Sequence, residues 1–233
     1  HEAPAPLTLF AIPDEAAQTN HAQIDVPWLF GLMGTRSLST EIPGIKELTA
    51  QAEQRIVNGQ KAIGVLEQLR KDPANEQLRE QFLAVRDDLG FGLLLKRYTN
   101  DVNAATPEMI KQAAADTIPS VTPMFWSFRI MVGSGLAMAL VFVLGLFYSF
   151  RNEIAEKAWY LRLAVLALPL PWIASEAGWF VAEYGRQPWT IYNVLPTHLS
   201  VSALTAGDVA GSLLGFGVLY TALLVVEMWL MIR

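Results

Sequence analysis

The 233-residue sequence contains no cysteine and only three histidines, His1, His21 and His198. The first absence excludes disulfide scaffolds, thiolate zinc sites and Fe–S clusters. The second argues against a self-contained multi-histidine metal site. Charge is scarce as well. Charged residues make up 17% of the chain and hydrophobic residues 52%, and the mean hydropathy is +0.30. An ordinary soluble domain carries about 25% charged residues. The shortage is uneven. Residues 1–126 hold 27 of the 39 charges, 11 basic and 16 acidic, and residues 127–233 hold the other 12, six of each sign. The net charge of −5 therefore lies in the first half. No basic footprint of the kind that binds nucleic acid is present.

What the second half has is three long apolar runs. Residues 130–150 are uncharged and flanked by Arg129 and Arg151. Residues 163–182 carry one charge, Glu176, and residues 209–226 carry none. At ~1.5 Å per residue, about 20 residues cross a hydrocarbon core of roughly 30 Å. The expected class is all-α, a polytopic membrane fragment with transmembrane helices at about 128–150, 160–183 and 208–231. A mainly helical extramembrane segment, residues 1–126, precedes them. The link after the first helix holds Arg151, Lys157 and Arg162, the next link holds only Arg186, and Arg233 follows the third helix. The positive-inside rule then places the first link and the C-terminus in the cytoplasm and residues 1–126 outside. Phe125, Trp126 and Phe128 mark one interface; Tyr148, Phe150, Trp159 and Tyr160 mark the other. No export signal opens the chain, and His1 is an unusual first residue. Both suggest a fragment whose upstream helices are missing.

Within the first half, residues 1–28 are rich in Pro and Ala without a sustained period, which predicts a loop. Apolar Ile45, Leu48, Ala52, Ile56, Ala62, Val65, Leu66 and Leu69 predict a helix over about 45–69. A second is expected over about 74–89. A third starts at Thr106 as N-cap, with Pro107 at N1, and ends near Thr117. The stretch from Leu93 to Tyr98 suits a membrane-surface contact or a packed helix or strand end equally.

The strongest chemical signal lies in the second apolar helix. At about 100° per residue, Trp172, Glu176, Trp179, Glu183 and Arg186 fall within an arc of about 80°. A carboxylate in hydrocarbon costs several kcal/mol, so this stripe should face protein, water or a cofactor. Glu183 and Arg186, at i,i+3, can pair on the helix surface. Glu176 is too deep for Arg186 to reach, which favours a functional stripe such as a proton relay or an oxygen ligand for iron. Pro169 and Pro171 predict a kink or break. Met131, taken alone, is a packing residue, although a thioether can also serve as an axial haem ligand. Arg129 is a membrane-edge anchor or a partner for a haem propionate. Thr205 and Asp208 form a capping pair. Glu227 can snorkel, and His198 is expected to be a solvated loop residue.

The segment Gly178-Trp179-Phe180-Val181-Ala182-Glu183-Tyr184-Gly185-Arg186-Gln187-Pro188-Trp189 resembles subunit I of the cytochrome bd quinol oxidases. Three further blocks look similar to that family. They are Phe125-Trp126-Ser127-Phe128-Arg129-Ile130-Met131, Gly90-Phe91-Gly92-Leu93-Leu94-Leu95-Lys96-Arg97-Tyr98 and Leu204-Thr205-Ala206-Gly207-Asp208. The resemblance extends over essentially the whole chain, with residues 1–126 similar to the C-terminal part of the family's long periplasmic quinol loop.

The resemblance implies roles for individual residues. Met131 would be the axial ligand of low-spin haem b, with Arg129 beside that haem. Glu183 would ligate high-spin haem b, with Arg186 beside the haem cluster and Trp179 as an electron conduit between haems. Glu176 receives no role from it and keeps a possible proton or structural one. The third haem would be haem d or another haem b. The histidine partner of Met131, the haem d ligand and the quinol-contacting residues would lie upstream of residue 1. The implied activity is oxidation of ubiquinol or menaquinol at the periplasmic face and reduction of O2 to water, building a proton gradient across the bacterial inner membrane. The implied partners are subunit II, a small accessory subunit and the lipid bilayer. The fragment by itself is expected to be inactive. Two other readings fit the composition. One is a non-enzymatic three-helix anchor displaying a periplasmic helical domain. The other is part of a proton-coupled transporter. An inert anchor has no use for the polar stripe.

Overall fold

The structure, a computed structural model, describes residues 3, 5–15, 17, 19–37 and 39–232. His1 and Arg233, which entered the sequence argument, lie outside the described residues. The chain divides into two compact units, His1–His198 and Leu199–Arg233.

The first unit opens with an antiparallel hairpin, β1 (Leu7–Asp14) and β2 (Thr19–Val26). This corrects the expected loop over residues 1–28. The register shifts between Thr8 and Phe10 and again between Phe10 and Ile12. Such irregularities break the two-residue alternation on which sequence recognition of a strand depends. Backbone hydrogen bonds between the strands need no such alternation.

A short helix α1 (Leu29–Thr35) leads to α2 (Ile45–Lys71), then α3 (Glu76–Val85), α4 (Leu89–Leu94) and α5 (Pro107–Ala115). The expected α2 and α5 are present. The Thr106 side chain caps α5 by accepting from the Met109 N–H, with Pro107 at N1. The expected single helix over 74–89 is divided instead, by a 3-10 turn at Arg86–Asp88. That turn aims Asp88 at α2, where it accepts from Arg55 Nε at 2.6 Å and Asn58 Nδ2 at 3.0 Å. At the α2–α4 crossing the backbones nearly touch. A Cβ on Gly59 would lie 2.2 Å from the Gly92 nitrogen and 2.3 Å from the Asp88 oxygen, so only glycine fits. Around the crossing Ile56, Phe91, Leu94, Leu95, Val102, Ala113 and Ala114 form the buried core. The stretch from Leu93 to Tyr98 is thereby settled as a packed helix end.

Among the described residues, three helices are long and apolar enough to cross a membrane. The first is α6 (Val121–Phe150). It begins about two turns before the expected 128, because the apolar run marks only what suits hydrocarbon while the helix extends back to Val121. The second is broken into α7 (Ala158–Leu166) and α8 (Leu170–Tyr184). The break precedes Leu170 where Pro169 and Pro171 predict it, since each proline lacks an N–H and crowds the preceding turn. Helix α8 packs antiparallel on α6. The second unit contains α9 (Ala206–Ile232). The predicted cap is present there: Asp208 Oδ2 accepts from the Thr205 N–H at 2.9 Å and hydroxyl at 2.6 Å.

Candidate functional site

Helix α8 is regular from Leu170 to Tyr184, so Trp172, Glu176, Trp179 and Glu183 do share one face. Arg186, just past the helix end, forms an ion pair with Glu183. The two side chains remain 45% and 44% exposed, respectively, leaving the carboxylate open on its outward side. Glu176, Trp172 and Trp179 are exposed. The stripe thus faces away from the α6 contact.

The face of α8 turned to α6 carries Gly178, and Gly185 at the C-cap continues it. A Cβ on Gly178 would lie 3.1 Å from Met131 Sδ and 3.7 Å from its Cγ. Seven residues later, a Cβ on Gly185 would lie 2.5 Å from the Val181 carbonyl oxygen and 2.7 Å from Met124 Cε. Met124 and Met131 are also seven residues apart, so two methionines of α6 seat on two glycines of α8 in one antiparallel register. Gly178 and Glu183 are separated by about 140° around the helix and about 7.5 Å along it. Met131, seated at Gly178, and Glu183 are therefore offset by about 7.5 Å along α8 and lie on opposite sides of it. The structure brings Glu183 together with Arg186, and it does not bring Met131 into the same pocket. The roles of Gly178, Gly185 and Met124 were not read from the sequence. The matched seven-residue spacings are the signal that could have found them.

The five residues Gly185 to Trp189 have separate tasks. Gly185 admits Met124, and Arg186 holds Glu183. Gln187 donates to the Glu183 carbonyl at 3.4 Å and accepts from the Thr197 hydroxyl at 2.9 Å. The Gln187–Pro188 bond is cis. Trp189 opens a two-strand turn, β3 (Trp189–Ile191) with β4 (Leu195–Pro196). Its ring is only 3% exposed and packs on Phe91 at 5.0 Å. The end of the Glu183 helix is thereby plugged into the core of α2, α4 and α5.

Arg129 is committed locally. Its guanidinium donates to the carbonyls of Leu9 at 2.8 Å, Phe125 at 2.7 Å and Thr8, and lies over the Phe125 ring. Phe10 packs edge-to-face on Trp126 at 5.6 Å. Glu15 accepts from the Thr122 N–H at 2.8 Å and the Ser120 hydroxyl at 2.9 Å. The Thr122 bonds, with help from Ser120, hold its carboxyl below the usual range. These contacts clamp the hairpin to the start of the helix that carries Met131.

His198 corrects the expectation of a solvated loop residue. Its Nε2 is buried without a hydrogen-bond partner among the described residues, in a recess shared with Leu94, Arg97, Asp116 and Pro188. Burial, then the charge of Arg97, pushes its imidazole below the usual range. Nearby, Tyr98 donates to Asp116, and burial followed by that carboxylate pushes its phenol up to about 12.

The donors present fit haem better than a bare ion. Among the described residues no three His, Cys, Asp or Glu side chains converge on one point. A haem iron takes its equatorial ligands from its own macrocycle and asks the protein only for axial ones. The Met131 thioether on one face and the outward-facing Glu183 carboxylate on the other match that need.

Residues 1–233 match the family described as cytochrome bd terminal oxidase subunit I. The chain is 41% identical over 229 residues to cytochrome bd-II ubiquinol oxidase subunit 1 of Escherichia coli (strain K12), covering 98% of this chain and 45% of that protein. It is 43% identical over 119 residues to cytochrome bd ubiquinol oxidase subunit 1 of Bacillus subtilis (strain 168), covering 51% of this chain and 25% of that one. A putative cytochrome bd menaquinol oxidase subunit I of the same organism is 33% identical over 100 residues, covering 41% of this chain and 21% of its own. The chain spans less than half the length of these relatives.

Proposed function

Because the chain belongs to the cytochrome bd terminal oxidase subunit I family, we propose that the full-length subunit oxidises quinol at the periplasmic face and passes electrons through haem to reduce O2 to water. In this reading residues 1–126 belong to the periplasmic quinol loop and the C-terminus is cytoplasmic. The basic link of Arg151, Lys157 and Arg162 supports that orientation. Quinol oxidation releases protons outside, and oxygen reduction takes up protons from the cytoplasm, so the reaction builds a gradient. The partners are subunit II, a small accessory subunit, and ubiquinol or menaquinol.

The observation that carries the reading is the two-sided α8, with the Met131 thioether seated on one face and the Glu183–Arg186 pair on the other. Bound haem supplies one-electron redox chemistry and the place where O2 is reduced. Met131 offers a soft, neutral donor to low-spin haem b, which favours the reduced state and a higher potential. Glu183 offers a carboxylate oxygen to high-spin haem b, and Arg186 offsets its charge. A third haem, d or b, would be held by residues outside this chain. Trp179 follows Gly178 and lies on the Glu183 face, which suits a conduit between the two sites. Arg129 keeps a fixed positive charge two residues from Met131 while holding the hairpin. Glu176, deeper on the same stripe, serves a proton or structural role.

The test is a reduced-minus-oxidised spectrum of the full-length subunit purified with its partner. Met131→Leu should remove the low-spin signature selectively, and Glu183→Ala should deplete the high-spin haem. An unchanged low-spin spectrum in the first variant, or full high-spin content in the second, refutes the corresponding ligand.

A further inference from the structure

We infer that Gly178 is the positioning residue for the Met131 sulfur, a role that rests on Met131 as the low-spin haem ligand. Gly178 lies inside α8, eight residues after its start, with no positive φ. Its backbone does nothing that alanine could not do. In a helix interior glycine is about 1 kcal/mol less favourable than alanine, so the missing Cβ needs a reason in space. Met131 supplies it. A Cβ at Gly178 would stand 3.1 Å from Sδ, a distance at which the sulfur must give by a few tenths of an ångström. The contact is specific. At Gly133 and Gly135, on α6 itself, an added Cβ meets nothing within 4 Å.

Small residues let membrane helices approach closely, and that general role predicts a different outcome from a positioning one. The α6–α8 contact does not rest on Gly178 alone, since Gly185 meets Met124 Cε at 2.7 Å one register step away. With that pair in place, an added methyl at 178 is accommodated by the side chain of Met131. Methionine is unbranched and turns about three bonds, so the displacement falls on the sulfur while the backbone of α6 stays where it is. Binding constellations tolerate about 0.5 Å of misplacement, so the few tenths forced by one methyl use up most of that allowance and the bulkier Val exceeds it. A displaced thioether binds iron more weakly and loses part of its effect in raising the potential.

The experiment uses Gly178→Ala, Gly178→Val and Met131→Leu in the full-length subunit purified with its partner. It reads the low-spin spectrum and midpoint potential, with high-spin haem content and assembled yield as the structural measures. Gly178→Ala should assemble with both haems retained and a lower low-spin potential. Gly178→Val should shift it further, towards the Met131→Leu spectrum. If Met131→Leu alters the low-spin haem while both Gly178 variants leave its spectrum and potential unchanged, the inference is overturned and the ligand assignment stands. If Gly178→Ala depletes both haems alike, the glycine serves packing and the inference is equally overturned. If Met131→Leu leaves the low-spin haem untouched, the ligand assignment itself falls.

Discussion

Trp189→Ala tests how the Glu183 helix is fastened. The ring is 3% exposed, belongs to the buried core and stacks at a tilt on Phe91, 5.0 Å away. Truncating a buried Trp to Ala costs about 3–5 kcal/mol, through lost transfer energy and the cavity left behind. The aromatic pair accounts for about 0.5–1.5 kcal/mol of coupling. At about 1.4 kcal/mol per tenfold, the lower bound already raises the open population of this segment by roughly 100-fold. Because α2, α4 and α5 share the core, the opening should be felt across all three rather than at the β3–β4 turn alone. The assay is limited proteolysis of the full-length complex under conditions where reclosing outpaces cleavage, so that the rate reports the open population. Leu83→Ala, at a side chain 51% exposed on α3, serves as control and should change the rate little. Trp189→Phe should fall between wild type and Trp189→Ala. A Trp189→Ala rate within about threefold of wild type, well below the factor worked out from burial, would refute the fastening role.

Two further predictions concern Arg129 and His198. Replacing Arg129 by Gln removes guanidinium donors to the β1 carbonyls, so proteolytic cleavage within residues 7–26 should accelerate while the α2–α5 core stays protected; equal protection of the hairpin would show that Glu15 and Phe10 suffice. For His198, the folded imidazole sits below its usual value through burial and Arg97, with the Asp116 carboxylate in the same recess. Its stabilising contribution is therefore complete above the unfolded pKa of about 6.5 and is lost as pH falls from there through the lower folded value. A proteolysis series from neutral to acid pH should show that slope, and His198→Gln should flatten it; an unaltered slope would remove His198 as its source.

The periodic and capping features of this chain were legible before any coordinates. The 3.6-residue apolar pattern located α2, the Thr106–Pro107 pair located the start of α5, and Pro169 with Pro171 located the break before α8. Each depends on neighbours along the chain. The hairpin was not legible, because its irregular register erased the alternation and its anchoring residues, Glu15 and Arg129, act on partners more than a hundred residues away in sequence. The 3-10 turn at Arg86–Asp88 was hidden for a similar reason, since its purpose is the long-range reach of Asp88 to Arg55 and Asn58. His198 looked like an ordinary loop residue because nothing local shows that Leu94 and Pro188 close over it.

The sequence by itself determined the division between a charged segment and three apolar helices, because hydrophobic free energy adds up residue by residue along each run. It also determined that Trp172, Glu176, Trp179 and Glu183 share a stripe, because helical geometry turns spacing into angle. Only the tertiary structure decided which face of α8 the neighbouring helix takes. That choice is made by close packing. Methionines of α6 can settle only where α8 presents glycines, so Met131 approaches the side opposite the stripe and leaves the Glu183–Arg186 pair facing outward.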